Sequence, residues 1–548
     1  MEDTTSSRQP ASPEYTVHLM AWLLHLGADH LLPTGPPMQS DSGHTHSSWE
    51  PASDIPGFTP LAADLTTDVC VIGAGIAGLS VAYQLARSGR RVVVLDDGPV
   101  GGGESSRTTA HLASALDDRF YRIEKLHGEE GARIGAESHR AAIEAIGEIV
   151  RTEGIECDFE RLDGYLFLTP TESESDLDRE LEAARRAGLT VEKVAQAPLE
   201  MFDTGPALRF RAQGQFHPLK YLAGLARAIV AHGGHIHTGT RATEVKDGRP
   251  CTVRTESGRT VTANSVAVCT NTPFIDLVVM HTKQAAYRTF VVAGVVPEGT
   301  VAPALYWDTG DPYHYVRLQR RDGEDPLLIV GGEDHKTGQA DDAEERFRRL
   351  EEWARDRFPV REFTERWSGQ VMEPIDYMGF IGRNPGDNHV YIATGDSGQG
   401  MTHGTIAGLL IRDLVLGVEN PWARLYNPGR KTPRGGALLA FAKENLNLAA
   451  QYVDWVRGGD VSTPDEIPAG EGAVLQRGLT KVACYRDADG TVHERSAVCT
   501  HLFCVVQWNS TEKSWDCPCH GSRFDPYGRV VNGPAVIDLA DATRDEGE

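Results

Sequence analysis

The chain has 548 residues, 40% hydrophobic and 24% charged, which are ordinary proportions for a globular protein of several domains. Lysine and arginine number 54 against 78 aspartate and glutamate, and the resulting formal charge of −24 disfavours a nucleic-acid partner. No apolar run reaches the roughly 18–20 residues that a membrane helix needs, so no transmembrane segment is expected.

Residues 1–65 are expected to form a poorly ordered N-terminal extension. The first ten residues are acidic and polar and lack the basic region of a secretory signal, which indicates a cytoplasmic location. Residues 33–65 are rich in Pro, Ser, Gly and His, a composition typical of a segment without its own core.

A nucleotide-binding pattern follows this extension. A Val/Ile strand begins near Asp68 and leads into VIGAGIAGLS, where Gly73, Gly75 and Gly78 form G-x-G-x-x-G at the start of a helix. The first glycine permits a tight turn, the second lets the backbone approach a pyrophosphate, and the third lets the helix pack on the strand. A second strand ends at Asp96, where a carboxylate would bind ribose hydroxyls. The parts together predict a doubly wound, Rossmann-type α/β domain, with an ordinary α/β turn as the alternative.

Six later segments extend this prediction: GGGESSRTTAH (101–111), FHPLKYLAGLARAI (216–229), HIHTGTRATEV (235–245), VAVCTNTPF (266–274), RWSGQVMEPID (366–376) and ATGDSGQGMTHGT (393–405). With the glycine motif, they resemble the flavin-dependent family that includes D-amino-acid, glycine and sarcosine oxidases. The resemblance implies FAD, because an NAD-dependent Rossmann dehydrogenase does not need a second glycine-rich segment such as residues 393–405 late in the chain. It also implies FAD contacts from Gly73, Gly75, Gly78, Asp96, Arg107, Thr108, Thr109, Val245, Thr270, Gly395, Gly398, Gln399, Gly400, Met401 and Thr402.

The same resemblance divides residues 66–417 into two interleaved domains. The FAD-binding domain would take about 66–150, 216–272 and 366–417, and an α+β, mainly antiparallel substrate domain would take about 151–215 and 273–365. Strands in the second domain carry Tyr and Arg, which can hold a carboxylate, although alternating Tyr and Val also describe one face of any sheet. The candidate catalytic residues are His111, Lys283, Arg288, Tyr313, Tyr315 and Arg317.

Five of the nine cysteines lie in a short C-terminal stretch that contains CTHLFC (499–504) and CPCHGS (517–522). Two thiolates and two imidazoles suit either tetrahedral zinc or a Rieske [2Fe–2S] cluster. The two-loop pattern resembles the Rieske family. That resemblance implies one iron on Cys499 and Cys517, the other on His501 and His520, and a disulfide between Cys504 and Cys519. We expect a small all-β Rieske domain over 466–548, joined by a linker with a helix over 418–465.

Two positions depart from the Rieske pattern. Phe503 occupies a position that is usually Gly, and Phe524 stands where high-potential members carry a Tyr that donates a hydrogen bond to a ligand sulfur. Ser522, the donor to a bridging sulfide, is present. Because hydrogen bonds stabilise the more negative reduced cluster, we expect a potential intermediate within the range of about −150 to +300 mV.

Together the two sites predict an FAD-dependent dehydrogenase of a small amine or amino acid. The flavin would take a hydride from a C–H bond beside nitrogen, and the cluster would pass single electrons to an external acceptor, a protein or a quinone. The main alternative is a flavin–Rieske relay or sensor without an amine substrate, in which the middle domain would be collapsed. A Rieske non-haem oxygenase, which places the cluster first, and a flavoprotein whose Rieske domain serves only for docking are further alternatives.

Overall fold

The computed structural model describes residues 42–50, 54–169, 172–275, 280–431, 451, 455 and 458–542. The helices in these residues are α1 (Ile76–Arg87), α2 (Phe120–Glu153), α3 (Glu174–Arg186), α4 (Pro218–Ala231), α5 (Ala343–Arg355), α6 (Gly400–Leu416) and α7 (Ala423–Tyr426). The strands up to residue 268 are β1 (Leu65–Ile72), β2 (Val92–Leu95), β3 (His111–Leu112), β4 (Glu160–Phe167), β5 (Val191–Val194), β6 (Ala207–Gln215), β7 (His235–His237), β8 (Ala242–Lys246), β9 (Cys251–Thr255) and β10 (Thr260–Val268).

The later strands fall into two groups. Those before residue 400 are β11 (Gln284–Val295), β12 (Leu305–Asp308), β13 (His314–Arg321), β14 (Glu324–Lys336), β15 (Glu362–Pro374), β16 (Phe380–Arg383) and β17 (Val390–Thr394). Those near the C-terminus are β18 (Glu471–Arg477), β19 (Thr480–Arg486), β20 (Val492–Ser496), β21 (Gln507–Asn509), β22 (Ser514–Asp516), β23 (Arg523–Phe524) and β24 (Val530–Asn532). Among the described residues, no helix combines the length and apolar composition that crossing a bilayer requires.

The first sheet is the doubly wound core. Its parallel strands run in the order β17, β10, β1, β2, β7, with β16 antiparallel at one edge and β9 and β8 continuing from β10. The central strands are apolar and buried, as parallel strands covered on both faces must be. The first helix, α1, packs against α4 and α6. The predicted α/β domain is confirmed.

The second sheet is mainly antiparallel, in the order β15, β11, β14, β13, β12, β4, β6, β3, with β5 on β6. Only the β12–β4 pair is parallel among the strands described in this sheet. The sequence division placed residues 366–374 in the FAD-binding part, but the structure places them in this sheet. The reason is that β15 pairs with β11 along nearly its whole length.

The C-terminal residues fold into two small antiparallel sheets, β18–β19–β20 and β21–β22–β23–β24. Trp515 and Phe524 are fully buried and pack in one apolar cluster with Cys499 and Cys517. The predicted small all-β domain is confirmed. The helix expected in the linker falls largely on residues 432–450, which lie outside the described residues.

The N-terminal segment differs from expectation, since residues 42–50 are packed rather than separate from any core. Trp49 is completely buried, and its Nε1 donates to the carbonyl of Thr108 at 2.7 Å. The guanidinium of Arg317 lies 5.3 Å from the centre of its ring. A short polar segment can therefore be ordered by the core of its neighbours, which composition alone does not reveal.

Candidate active site and metal centre

A cavity of about 770 Å³ is lined by the glycine motif, by the second sheet and by residues 530–533 of the C-terminal domain. This volume is within the range of cofactor and small-molecule sites. The FAD-binding domain, the second sheet and the C-terminal domain therefore all contribute residues to the cavity wall.

The positions of the glycine motif require glycine, because a side chain at Gly73 or Gly78 would collide with the neighbouring backbone. Gly73 has φ +108°, and a Cβ there would lie 2.4 Å from the carbonyl oxygen of Cys269. A Cβ on Gly78 would lie 1.8 Å from the carbonyl oxygen of Gly73, so helix and strand can pack only with glycine. Gly75 lines the cavity at the N-terminus of α1, and the positive end of this helix suits a pyrophosphate. These residues fit the expected FAD.

Most of the other predicted cofactor residues also lie at the wall. Asp96 lines it, and its carboxylate accepts hydrogen bonds from the backbone N–H groups of Ala74 and Gly98. The remaining predicted residues that line the cavity are Thr108, Thr109, Thr270, Gly395, Gly398, Gln399, Gly400 and Met401.

Three predicted cofactor residues have other partners. Arg107 borders the cavity, but its guanidinium pairs with Glu512 at 3.1 Å and is buried between domains. Val245 packs in an apolar cluster, and Ala242 on the same strand, β8, lines the cavity instead. The hydroxyl of Thr402 lies 2.8 Å from Nδ1 of His139 on α2, inside the helix packing.

Three of the predicted catalytic residues meet at the cavity wall. The rings of Tyr313 and Tyr315 lie 5.5 Å apart, and His111 packs edge-on against Tyr315 at 5.6 Å. Burial, with the nearby Arg317 charge, lowers the pKa of His111 to about 3, so this imidazole is neutral at physiological pH. The hydroxyl of Tyr315 lies 2.8 Å from the hydroxyl of Thr289.

The other three predicted catalytic residues do not line the cavity. Lys283 donates to the carbonyls of Pro428 and Arg430 at 3.0 and 3.2 Å. Arg288 donates to the Ser368 hydroxyl at 2.6 Å, in a buried cluster between domains. Arg317 donates to the carbonyls of Thr109, Ala110 and Phe216. The sequence shows the residue types but not these long-range backbone and carboxylate partners.

The cavity is lined by carboxylates that sequence reasoning missed. The Ser397 hydroxyl lies 3.0 Å from Asp118 and 2.8 Å from Glu373, and Asp117 lies 3.4 Å from Gln399. Burial raises the pKa of Asp117 to about 6 and, with the charge of Asp117, that of Asp118 to about 7. Burial also raises the pKa of Glu373 well above its usual range. Two more lining carboxylates, Asp334 and Asp396, have pKa values raised by burial to about 6. The one available signal was the adjacent Asp pair just after the 101–111 loop.

The C-terminal domain brings together the predicted metal ligands. Cys499 and Cys517 are buried, with interacting thiols, and the rings of His501 and His520 lie 5.0 Å apart. Nδ1 of His520 is buried and has no hydrogen-bond partner among the described residues, as a metal-ligating nitrogen requires. Two thiols and two imidazoles at one site fit a Rieske cluster.

The two ligand loops are joined by a disulfide between Cys504 and Cys519, with Cα atoms 6.4 Å apart. The sulfur of Cys517 lies within 4.8 Å of both disulfide sulfurs, but disulfide sulfurs are not thiolate ligands. Phe503 adopts φ +60°, so the loop keeps a left-handed turn even without glycine. Ser522 is buried and accepts from the backbone N–H of Ala535 at 3.1 Å.

A buried ion network holds the C-terminal domain against the rest of the chain. Glu512 is 3.1 Å from Arg107 and 3.8 Å from Arg288. It also accepts from the backbone N–H groups of His44 and Thr45 at 2.9 and 3.1 Å. One carboxylate thus contacts the N-terminal segment, the 101–111 loop and β11.

Comparisons with known proteins agree with this arrangement. Residues 68–414 match the family described as FAD dependent oxidoreductase, and residues 459–541 match the family described as Rieske [2Fe-2S] domain. The putative Rieske 2Fe-2S iron-sulfur protein YhfW of Bacillus subtilis (strain 168) is 31% identical over 497 residues, which cover 90% of this chain and 96% of that protein. Gamma-glutamylputrescine oxidoreductase of Escherichia coli (strain K12) is 28% identical over 71% of this chain and 95% of its own.

Among solved structures, glycine oxidase from Geobacillus kaustophilus superposes with a TM-score of 0.55 at 19% identity, over 67% of this chain and 99% of that one. This likeness shows the fold. The family matches and the ligand set assign FAD and a Rieske [2Fe–2S] cluster as cofactors, which sets the zinc alternative aside. The chain therefore belongs to the FAD dependent oxidoreductase family and carries a Rieske [2Fe-2S] domain after its oxidoreductase domain.

Proposed function

We propose that this protein is an FAD-dependent dehydrogenase of a cationic amine that passes electrons through its Rieske cluster to an external protein or quinone acceptor. The observation that carries the proposal is the carboxylate lining of the cavity, together with the absence from that lining of Arg288 and Arg317. A carboxylate-binding site for an amino acid would need cations, whereas acids outnumber arginines on the described wall.

The charge balance at the wall favours an ammonium group. Asp118 and Glu373 contact the Ser397 hydroxyl, and Asp117 lies beside Gln399. A buried carboxylate is costly unless a cation pairs with it.

Besides Arg107, three arginines border the cavity, but each guanidinium has another partner. That of Arg119 donates to the carbonyls of Asp117 and Asp308 at 3.0 and 3.2 Å. That of Arg122 donates to the Tyr121 hydroxyl at 3.2 Å, and that of Arg241 lies 3.1 Å from Asp97. A substrate ammonium would supply the missing counter-charge. The Escherichia coli relative, which is named for the amine γ-glutamylputrescine, supports an amine substrate.

The chemistry follows from amine oxidation. The C–H bond beside nitrogen breaks and its hydrogen leaves with two electrons, while the nitrogen lone pair forms a C=N bond that water later hydrolyses. FAD supplies the two-electron acceptor and the cluster a one-electron carrier when they are bound. The amine must first lose a proton, and Asp118, whose pKa is raised by burial to about 7, is suited to accept it.

The remaining wall residues orient the substrate and exclude water. Tyr313 and Tyr315 present two aromatic faces, and neutral His111 packs against the second without adding positive charge. Such a wall favours a bound C–H group held in one orientation. The open middle domain also favours an enzyme over the relay alternative, for which a collapsed cavity is expected.

Anaerobic reduction by matched pairs of compounds tests the substrate class. Putrescine and ornithine differ by one carboxylate, as do cadaverine and lysine, and flavin bleaching reports turnover. We expect the diamines or their N-substituted derivatives to bleach the flavin faster than the amino acids. Their KM should fall as pH rises through about 6 to 7, because the carboxylates that bind the cation ionise over that range.

Asp118→Asn is the matched variant for this test. It should raise KM for the amine about tenfold, since one charge-assisted contact is lost, and it should lower kcat, since the proton acceptor is removed. It should also weaken the pH dependence of KM. Asp203→Asn is the control, because this exposed carboxylate accepts from the backbone N–H of Gly205 at 2.8 Å and does not line the cavity in the described structure. Bleaching by the amino acids but by none of the amines would contradict the proposal, and bleaching by dithionite alone would favour the relay.

A further inference from the structure

A histidine of the oxidoreductase domain lies against both cluster histidines. The ring of His281 is 4.8 Å from that of His501 and 5.7 Å from that of His520, each in an edge-on arrangement. All three residues are buried, with exposed fractions of 4%, 7% and 4%. In the described structure the histidine edge of the cluster site is therefore covered by the oxidoreductase domain and is closed to an external protein.

The segment that carries His281 is anchored toward the cavity. It forms a single helical turn, His281–Lys283, directly before β11. The carbonyl of Lys283 accepts from the backbone N–H of Ile375 at 3.0 Å. The side chain of Gln284 donates to the hydroxyl of Thr394, which lines the cavity, at 3.1 Å. A short stretch of chain thus joins the wall of the flavin cavity to the cluster histidines.

The cluster loop is also held close to β11 and β15. Gly521 follows the ligand His520 and has φ +78°. A Cβ on Gly521 would lie 2.4 Å from Cβ of Ala286 on β11. The carbonyl of Gly521 accepts from Nε2 of Gln370 on β15 at 3.0 Å. This contact leaves no room for a gap between the loop and the sheet, so the ring of His281 is fixed relative to the ligands.

We propose that His281 is a positioning residue for the cluster: its ring fixes His501 and His520 and makes this edge the side at which electrons arrive from the flavin. The inference rests on the proposed function. Each transfer removes one electron from the reduced flavin and adds one electron to the oxidised cluster, with no bond formed or broken and no proton leaving His281. Outer partners of metal-ligating histidines set ring orientation and metal properties, which is the role assigned here.

The test uses the full-length holoenzyme and three variants. His281→Leu fills the space without an aromatic ring, and His281→Phe restores a ring. His335→Leu is the matched control, because the ring of His335 stacks on Phe290 at 5.6 Å and, in the described structure, makes no ring contact with a cluster histidine. The readouts are iron content, the electron paramagnetic resonance spectrum of the dithionite-reduced cluster, and the rate of cluster reduction after anaerobic photoreduction of the flavin.

We expect His281→Leu to change the g-values and to slow cluster reduction about tenfold or more. His281→Phe should recover most of the rate, and His335→Leu should match the wild type. Loss of iron from His281→Leu with retention in His281→Phe supports the proposal equally. Wild-type spectra and rates in His281→Leu overturn it, as does loss of iron from both variants, which would indicate a role in folding. If the wild type itself shows no cluster reduction, the proposed function fails instead.

Discussion

Phe524 is a single side chain that bears on the redox potential. It is fully buried in the apolar cluster that contains Cys499 and Cys517. Phe524→Tyr would add one hydroxyl, and a hydrogen bond to a ligand sulfur stabilises the reduced cluster. We expect the midpoint potential to rise relative to the wild type in a spectroelectrochemical titration.

The control for this prediction is Tyr485→Phe. It removes the hydroxyl of a half-buried tyrosine that packs against Trp508 in the same domain. Its potential should equal that of the wild type. A Phe524→Tyr enzyme with an unchanged or lower potential would show that position 524 does not govern the hydrogen bonding of the cluster.

At the scale of residues, sequence prediction worked where one short motif carries the geometry. The positions of Gly73 and Gly78 follow from local turn and packing requirements. It failed for Arg288, because the partner Glu512 is distant in sequence and lies in another domain. An arginine beside a tyrosine on a strand indicates a carboxylate-binding site only if the arginine side chain lines the cavity. The sequence of the strand does not show which of its side chains do so.

Between elements, Glu512 is the centre of the contact that joins the domains. Burial alone would raise its pKa, but the charges of Arg107, Arg288 and Arg523 outweigh burial and lower it to about 2. Because this folded-state pKa lies below the value of about 4.3 for an unfolded glutamate, the contribution is complete above that pH. It is lost as pH falls from about 4 toward 2.

Glu512→Gln should therefore destabilise the protein by about 3–5 kcal/mol, the usual cost of removing one partner from a buried ion pair. Urea unfolding followed by tryptophan fluorescence at neutral pH measures this cost. The variant should also lose less stability than the wild type between pH 4 and pH 2.

The matched control is Glu494→Gln, which removes the half-buried partner of the exposed Arg477. A surface pair of this kind contributes about 1 kcal/mol or less. Equal stability of the two variants would contradict the assignment of Glu512 as the centre of the domain contact.

Sequence patterns predicted most elements but not how they associate. The hydrophobic run before Gly73 indicated β1, and the glycine motif indicated α1 directly after it. The position of β15 could not be predicted, because pairing with β11 depends on backbone hydrogen bonds between segments about 80 residues apart. The order of residues 42–50 likewise depends on contacts with Thr108 and Glu512.

Across the whole molecule, the two cofactor sites share one interface. The C-terminal residues Val530–Asn532 of β24 line the flavin cavity, and the cluster histidines pack on His281 of the oxidoreductase domain. The sequence predicted both sites and their order in the chain. It did not show that the histidine edge faces the oxidoreductase domain, since motif spacing carries no information on the docking of one domain on another.

The most direct test of the account is anaerobic addition of an oxidisable amine to the oxidised holoenzyme, with optical and electron paramagnetic resonance detection. The account predicts that the flavin bleaches first and that the signal of the reduced cluster then grows, toward one reduced cluster per chain. Dithionite must reduce the cluster in the same sample, which establishes that it is present and competent. A flavin fully bleached by amine beside a cluster that stays oxidised would contradict the claim that substrate electrons pass from one site to the other.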